Sequence, residues 1–135
     1  MNPIDQEWVQ GVCDCCDPIF DAANVGFTRQ ISFAEDGVVN SLLWEADPAR
    51  FAARYPDSGI VESYGEEQWP RVHCIDFWVY VEHENHQCRL SIEGWNLPDL
   101  VLPFTGSRAR DACGLADTFA RILGVPSPRA MSEDD

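Results

Sequence analysis

Lysine is absent from this 135-residue chain, and all nine of its basic residues are arginine. That excludes the G-x-x-x-x-G-K-[ST] phosphate loop, whose lysine reaches the outer phosphates. Lacking lysine while rich in alanine, glycine and aspartate, the chain points to a GC-rich coding genome of the bacterial kind. A long apolar run is also missing. The most apolar stretch, Ile75 to Val81, is interrupted by Asp76 and falls far short of the roughly 20 residues that a bilayer-spanning helix needs. No transmembrane helix and no membrane partner are expected. Met1 to Glu7 holds two acids and no basic residue, and no apolar segment follows, the reverse of a secretory leader. G-x-S-x-G, H-E-x-x-H, G-x-G-x-x-G and EF-hand patterns do not occur, which turns the expectation away from an enzyme.

What the chain has in quantity is negative charge: 23 Asp and Glu against nine Arg, a net charge of −14. Glu133, Asp134 and Asp135 at the tail supply only three of those acids, so the acidity belongs to the body of the protein. Such a field repels nucleic acid and anionic membranes and speeds encounter with basic partners, although solubility alone is a competing reason for it. With 45% apolar residues the length suits one hydrophobic core. A single domain over residues 1–126 with a short acidic tail, 127–135, is expected. Six cysteines without a leader read as reduced thiols of the cytoplasm, most of them acting as small buried hydrophobes.

Residue spacing predicts the elements. Ile4, Trp8, Val12, Cys15 and Cys16 recur at helical spacing, and Asp17-Pro18 is expected to end or kink that first helix. Phe27 to Glu35 alternates, with Ile31 and Phe33 on one face and Gln30 and Ser32 on the other. Asp36-Gly37 then turns the chain into Val38 to Trp44. Asp47-Pro48 opens a middle helix that runs to about Tyr55, since Asp caps free N–H groups and proline at the first helical position loses no hydrogen bond. Ile60 to Tyr64 reads as a short strand and Gly65 to Arg71 as an acidic loop.

Cys74 to His83 has the clearest strand pattern. Ile75, Phe77, Val79 and Val81 point one way, and Asp76, Trp78, Tyr80 and Glu82 the other. An Asn85-His86 turn would pair it with Cys88 to Trp95, setting Val81 opposite Leu90, Val79 opposite Ile92, Glu82 opposite Arg89, Trp78 opposite Glu93 and Asp76 opposite Trp95. Leu97 to Phe104, with Pro98 and Pro103, fits an edge strand. Ser107 to Leu123 carries a helical stripe of Ala109, Ala112, Cys113, Ala116, Phe119, Ala120 and Leu123, closed by Gly124 and Pro126. The expected fold is α+β: a mainly antiparallel sheet of five to six strands, with N-terminal, middle and C-terminal helices packed on one face.

Several groups invite a chemical reading. Cys13-Asp14-Cys15-Cys16 contains one C-x-x-C spacing, as zinc and thiol redox sites do. A zinc site would need further ligands from His73 and Cys74 or from His83, His86 and Cys88, and neither set repeats the spacing. No metal and no cofactor are therefore expected. Asp76, Glu82 and Glu93 share a hairpin face as paired catalytic carboxylates do, but Arg89 sits among them. Thr105-Gly106-Ser107-Arg108 ahead of the last helix could receive an anion at the free N–H groups, or simply cap the helix.

A surface reading remains. Trp78, Tyr80 and Trp95, interleaved with Asp76, Glu82 and Glu93, have the aromatic-and-charged make-up of an interface anchor, and Glu66, Glu67 and Trp69 extend it. In size, acidity, cytosolic thiols, α+β plan and lack of a catalytic motif, the chain resembles the small acidic immunity proteins that bacteria encode beside toxins. The resemblance is of class only and carries over no residue. It implies a stoichiometric inhibitor whose partner is a basic toxin domain such as a nuclease. Two other readings stand beside it: an acidic mimic of nucleic acid that binds a DNA-handling protein, and a small enzyme of another family.

Overall fold

The computed structural model describes residues 3–35, 38–55, 75–94 and 97–126, with side chains from residue 6 onward. Along the chain run α1 (Pro3–Ala23), β1 (Phe27–Phe33), β2 (Val39–Ala46), α2 (Pro48–Arg54), β3 (Ile75–Glu82), β4 (Gln87–Glu93), β5 (Leu100–Pro103) and α3 (Arg108–Leu123). The strands form one antiparallel meander in the order β1-β2-β3-β4-β5. The fold is α+β, as the residue pattern predicts. The Asp36-Gly37 turn, the Ile60 to Tyr64 strand, the Gly65 to Arg71 loop with Glu66, Glu67 and Trp69, His73, Cys74, Trp95 and the tail lie outside the described residues.

One face of the sheet makes the core. Leu42, Val79 and Leu90 stand abreast across β2, β3 and β4, as do Trp44, Phe77 and Ile92. Helices α1 and α3 close over them. Phe20 of α1 stacks on Trp44 at 5.4 Å, meets Phe77 edge-on at 5.1 Å and touches Phe119 of α3 at 5.2 Å. At Gly11 the Arg108 side chain of α3 lies against the α1 backbone, so that a Cβ there would lie only 2.2 Å from the Cγ of Arg108. Any larger residue would have to move the arginine stem, so glycine is the residue that fits.

Helix α1 does not stop at Asp17-Pro18 but continues through Pro18 to Ala23. Pro18 is exposed, so the carbonyl that loses its partner one turn earlier, that of the exposed Asp14, can turn to water. The continuation buries Ile19, Phe20 and Ala23, and that apolar gain decides the outcome.

Helix α2 begins as its sequence predicts. Asp47 accepts from the backbone N–H of Ala49 (2.9 Å) and Arg50 (3.2 Å), with Pro48 in the first turn. Phe51 packs on Phe77, and the Tyr55 hydroxyl donates to the Leu123 carbonyl at 2.6 Å, tying this short helix to the end of α3. Asp47→Ala should cost about 1 kcal/mol, the usual worth of an N-cap. A denaturant titration would show it as a lower midpoint with unchanged slope.

The β3–β4 register differs from the expected one by two residues. Val81 faces Cys88, Val79 faces Leu90 and Phe77 faces Ile92 on the core side, while Tyr80 faces Arg89, Trp78 faces Ser91 and Asp76 faces Glu93 on the other. The cause is the turn. His83–Asn85 form a single 3-10 turn that His86 closes in the left-handed conformation at φ 52°, in place of a two-residue Asn85-His86 turn. A two-residue slip keeps every side chain on its face, so Trp78 and Tyr80 still point away from Ile75, Phe77, Val79 and Val81. Glu93, not Trp95, stands across from Asp76.

Among the described strands β5 lies at the edge of the sheet, with Val101 57% exposed. Helix α3 starts at its Ser107 cap and ends at Gly124 in the left-handed conformation, φ 67°. Its buried stripe includes Asp111 and Leu115, whereas Ala109, expected in the stripe, is exposed.

Candidate functional site

Most of the chemically suggestive groups are taken up by the fold itself. The Thr105-Gly106-Ser107 turn already holds an anion, and it is the chain's own. The Asp111 carboxylate accepts from the Thr105 N–H (3.1 Å), the Gly106 N–H (3.1 Å), the Thr105 hydroxyl (2.7 Å) and, across the helix pair, the Trp8 indole N–H (2.7 Å). The Ser107 N–H in turn donates to the Thr105 hydroxyl at 3.0 Å. An external phosphate would have to displace a carboxylate that is itself only 5% exposed.

The described cysteines behave as apolar residues. Cys13, Cys16 and Cys88 are buried, and burial pushes the Cys13 thiol up to about 11 and the Cys88 thiol to about 12, with Cys16 also well above its usual value. Cys15 of α1 is half-buried, raised by burial first and by the neighbouring Cys113 of α3 next. A thiol held neutral in this way is a poor nucleophile and a poor metal ligand. Among the described residues no group of three or more His, Cys, Asp or Glu is placed to hold a metal ion. Of the two histidines beside the β3–β4 turn, His86 is exposed. His83 is structural: its Nε2–H donates to the Val39 carbonyl at 2.7 Å, and its ring meets Phe104 edge-on at 5.1 Å.

The second face of the sheet is different. Its side chains fall into rows, because directly opposite residues in an antiparallel pair share a face. One row runs Glu45, Asp76, Glu93 across β2, β3 and β4, and the next runs Leu43, Trp78, Ser91. A third runs Ser41, Tyr80, Arg89. Trp78 and Tyr80 lie flat against each other, ring centres 5.3 Å apart and planes 9° from parallel. Beside them a depression of about 360 Å³ is lined by Gln30, Ser32, Ser41, Leu43 and Trp78, among others.

Burial on this face is uneven. Leu43, Ser41 and Asp76 are buried, Trp78, Tyr80, Glu82 and Glu45 are half-buried, and Glu93 and Arg89 are exposed. Glu82 is engaged, accepting from Gln87 and pairing with Arg89 at 3.1 Å. Arg29, the sheet's other arginine, pairs with Asp17 on the helix side. The row of three carboxylates thus has no cation among the described residues, although like charges placed directly opposite repel. Asp76, 7% exposed, keeps its Oδ1 buried without a hydrogen-bond partner among those residues, and the Trp78 Nε1–H is buried and unpartnered too. Burial first, then the carboxylates of Glu93, Asp76 and Asp99, raises the Tyr80 hydroxyl above its ordinary value.

Of the residues expected to bind a partner, the structure therefore brings Asp76, Trp78, Tyr80, Glu82 and Glu93 to one face, while Trp95, Glu66, Glu67 and Trp69 lie outside the described residues. Glu45 was missed by the sequence reading. Only the pairing of β2 with β3, strands separated by a long connection, brings it beside Asp76.

The class defined by fold and site is an α+β protein with two helices over one face of an antiparallel meander and an acidic, aromatic second face. Compared with protein-family models, curated proteins and solved structures, the chain matches none. Among the described residues, no helix is long and apolar enough to cross a membrane.

Proposed function

We propose that this protein is a stoichiometric inhibitor that binds a basic protein, in the manner of bacterial immunity proteins, and that it acts in the cytoplasm. The contact surface is the second face of the sheet, centred on Trp78 and Tyr80 with Asp76, Glu82 and Glu93 around them. One observation carries the reading: among the described residues the buried Asp76 oxygen and the Trp78 N–H have no partner, and the two acids beside them, Glu45 and Glu93, have no cation. Native proteins leave few buried polar groups unpaired, and each such group calls for an explanation. A partner surface would supply one. The net charge of −14 favours a basic partner by steering and complementarity. Binding rather than catalysis is favoured because His83, Asp111 and the buried thiols are already engaged in structural roles.

The test is a calorimetric titration against basic toxin domains encoded beside this gene. A one-to-one complex that abolishes the toxin's activity is expected. Trp78→Ala should weaken that complex by about 2 kcal/mol, roughly 30-fold. Because the indole is only half-buried, its removal should lower folding stability by no more than about 1.5 kcal/mol. If Trp78→Ala instead unfolds the protein, losing the 3 to 5 kcal/mol or so of a core tryptophan, this face is core and the proposal fails. The salt dependence is a second discriminator. A complex lost entirely at moderate salt would point to mimicry of nucleic acid by charge alone.

A further inference from the structure

Within that surface, the unpartnered atoms define what the partner must present. Asp76 Oδ1 is an acceptor, is buried, and is flanked on neighbouring strands by Glu45 and Glu93, so it calls for a cationic donor. Trp78 Nε1–H is a donor, so it calls for an acceptor, which no cationic side chain can be. The two groups sit two residues apart on one face of β3.

We infer that the Glu45–Asp76–Glu93 row and the Trp78–Tyr80 stack together form a receptor for an arginine side chain of the partner protein, with a main-chain carbonyl of the same partner segment meeting the Trp78 N–H. This inference rests on the reading of the face as a docking surface.

Arginine suits the site better than lysine for three physical reasons. Its guanidinium is planar and can lie along the stacked rings, where a cation gains from the negative face of an aromatic. Its five N–H donors in a fixed fork can serve more than one carboxylate at once, whereas an ammonium is a compact point charge. It is also less strongly hydrated, so it loses less on reaching a buried oxygen. The Asp76 oxygen is closed to solvent, so the arginine enters as side chains around it turn aside, and Glu93, directly opposite on β4, is exposed.

The experiment uses the whole chain, ¹⁵N-labelled, and follows its tryptophan indole N–H signals by NMR during titration with N-acetyl-L-arginine amide. Two controls are N-acetyl-L-lysine amide and the neutral isostere N-acetyl-L-citrulline amide. The Trp78 signal should move saturably with the arginine compound, with a Kd on the order of 1 mM as befits a single side chain. Lysine should bind several-fold more weakly and citrulline should leave the signal in place. Asp76→Asn should weaken arginine binding by about tenfold or more. Should that variant fold poorly, the double variant Glu45→Gln/Glu93→Gln, which alters only the less buried carboxylates, should weaken it several-fold. Equal response to arginine and lysine, or unchanged arginine binding in these variants, overturns the inference. The two readings fail separately. Arginine binding without any inhibited toxin would leave the receptor standing and remove the inhibitor. A toxin complex that depends on Trp78 but no arginine response would do the reverse.

Discussion

Trp44→Ala should destabilise the protein by about 4 kcal/mol, within the range measured for deleting a buried aromatic. Trp44 is fully buried in the middle of the helix-covered face, stacked on Phe20 at 5.4 Å and edge-on to Phe119 at 5.7 Å. Its indole N–H donates to Asp17 at 2.8 Å, and Asp17 also pairs with Arg29. The substitution opens a cavity between β2 and both long helices, and it takes a hydrogen bond from a part-buried carboxylate. Trp44→Phe separates the two effects: it keeps most of the ring and should cost about 1 to 2 kcal/mol for the lost hydrogen bond and volume. Urea unfolding, read as a shift in midpoint at constant slope, measures both. A loss below about 2 kcal/mol for Trp44→Ala would mean that the sheet is not fastened to α1 through this residue.

Asp111→Ala should cost about 3 kcal/mol, although aspartate in a helix is ordinarily a surface residue. The side chain joins three parts of the chain: the loop after β5 through Thr105 and Gly106, the body of α3, and α1 through the Trp8 indole. Removing it strands the Trp8 N–H in a buried place, and an orphaned donor costs its full desolvation. Asp111→Asn should be intermediate, because its amide offers one accepting oxygen and turns donors toward donors. The pairing with Trp8 is checked by a double-mutant cycle with Trp8→Phe. Once the indole N–H is gone, removing the carboxylate should cost less, by roughly 1 kcal/mol of coupling. Strict additivity would show that the buried hydrogen bond contributes nothing.

These two residues differ in how visible they are in the sequence. The apolar, strand-forming run Val38 to Trp44 announces a strand, but with Leu42, Leu43 and Trp44 all buried it shows no alternation to say which face Trp44 takes. Asp111 is invisible as a core residue because the partner that ties it to α1, the Trp8 indole, is 103 positions away, and no local pattern encodes such a bond. The same contrast runs through the candidate site. Alternation along β3 places Asp76, Trp78 and Tyr80 on the face opposite Ile75, Phe77 and Val79. Glu45 joins them only through strand pairing, which side-chain period leaves open.

What the sequence by itself determined rests on short periods and local caps. The α+β class, the strand faces of β1 and β3, the Asp47 and Ser107 helix starts and the Gly124 stop all follow from neighbours within a few residues. Tertiary structure decided the rest. It carried α1 through Pro18 because Ile19, Phe20 and Ala23 had a core to enter. It set β3 against β4 two residues from the expected register, since a slip of two leaves both faces unchanged and only the left-handed His86 turn distinguishes the alternatives. It filled the Thr105 turn with Asp111 and lined up Glu45, Asp76 and Glu93. The continuation of α1, the Trp8 bond that completes the Asp111 site and the carboxylate row depend on groups far apart in sequence, where contact is made only once the chain has folded, and the register rests on a turn conformation that side-chain period leaves open.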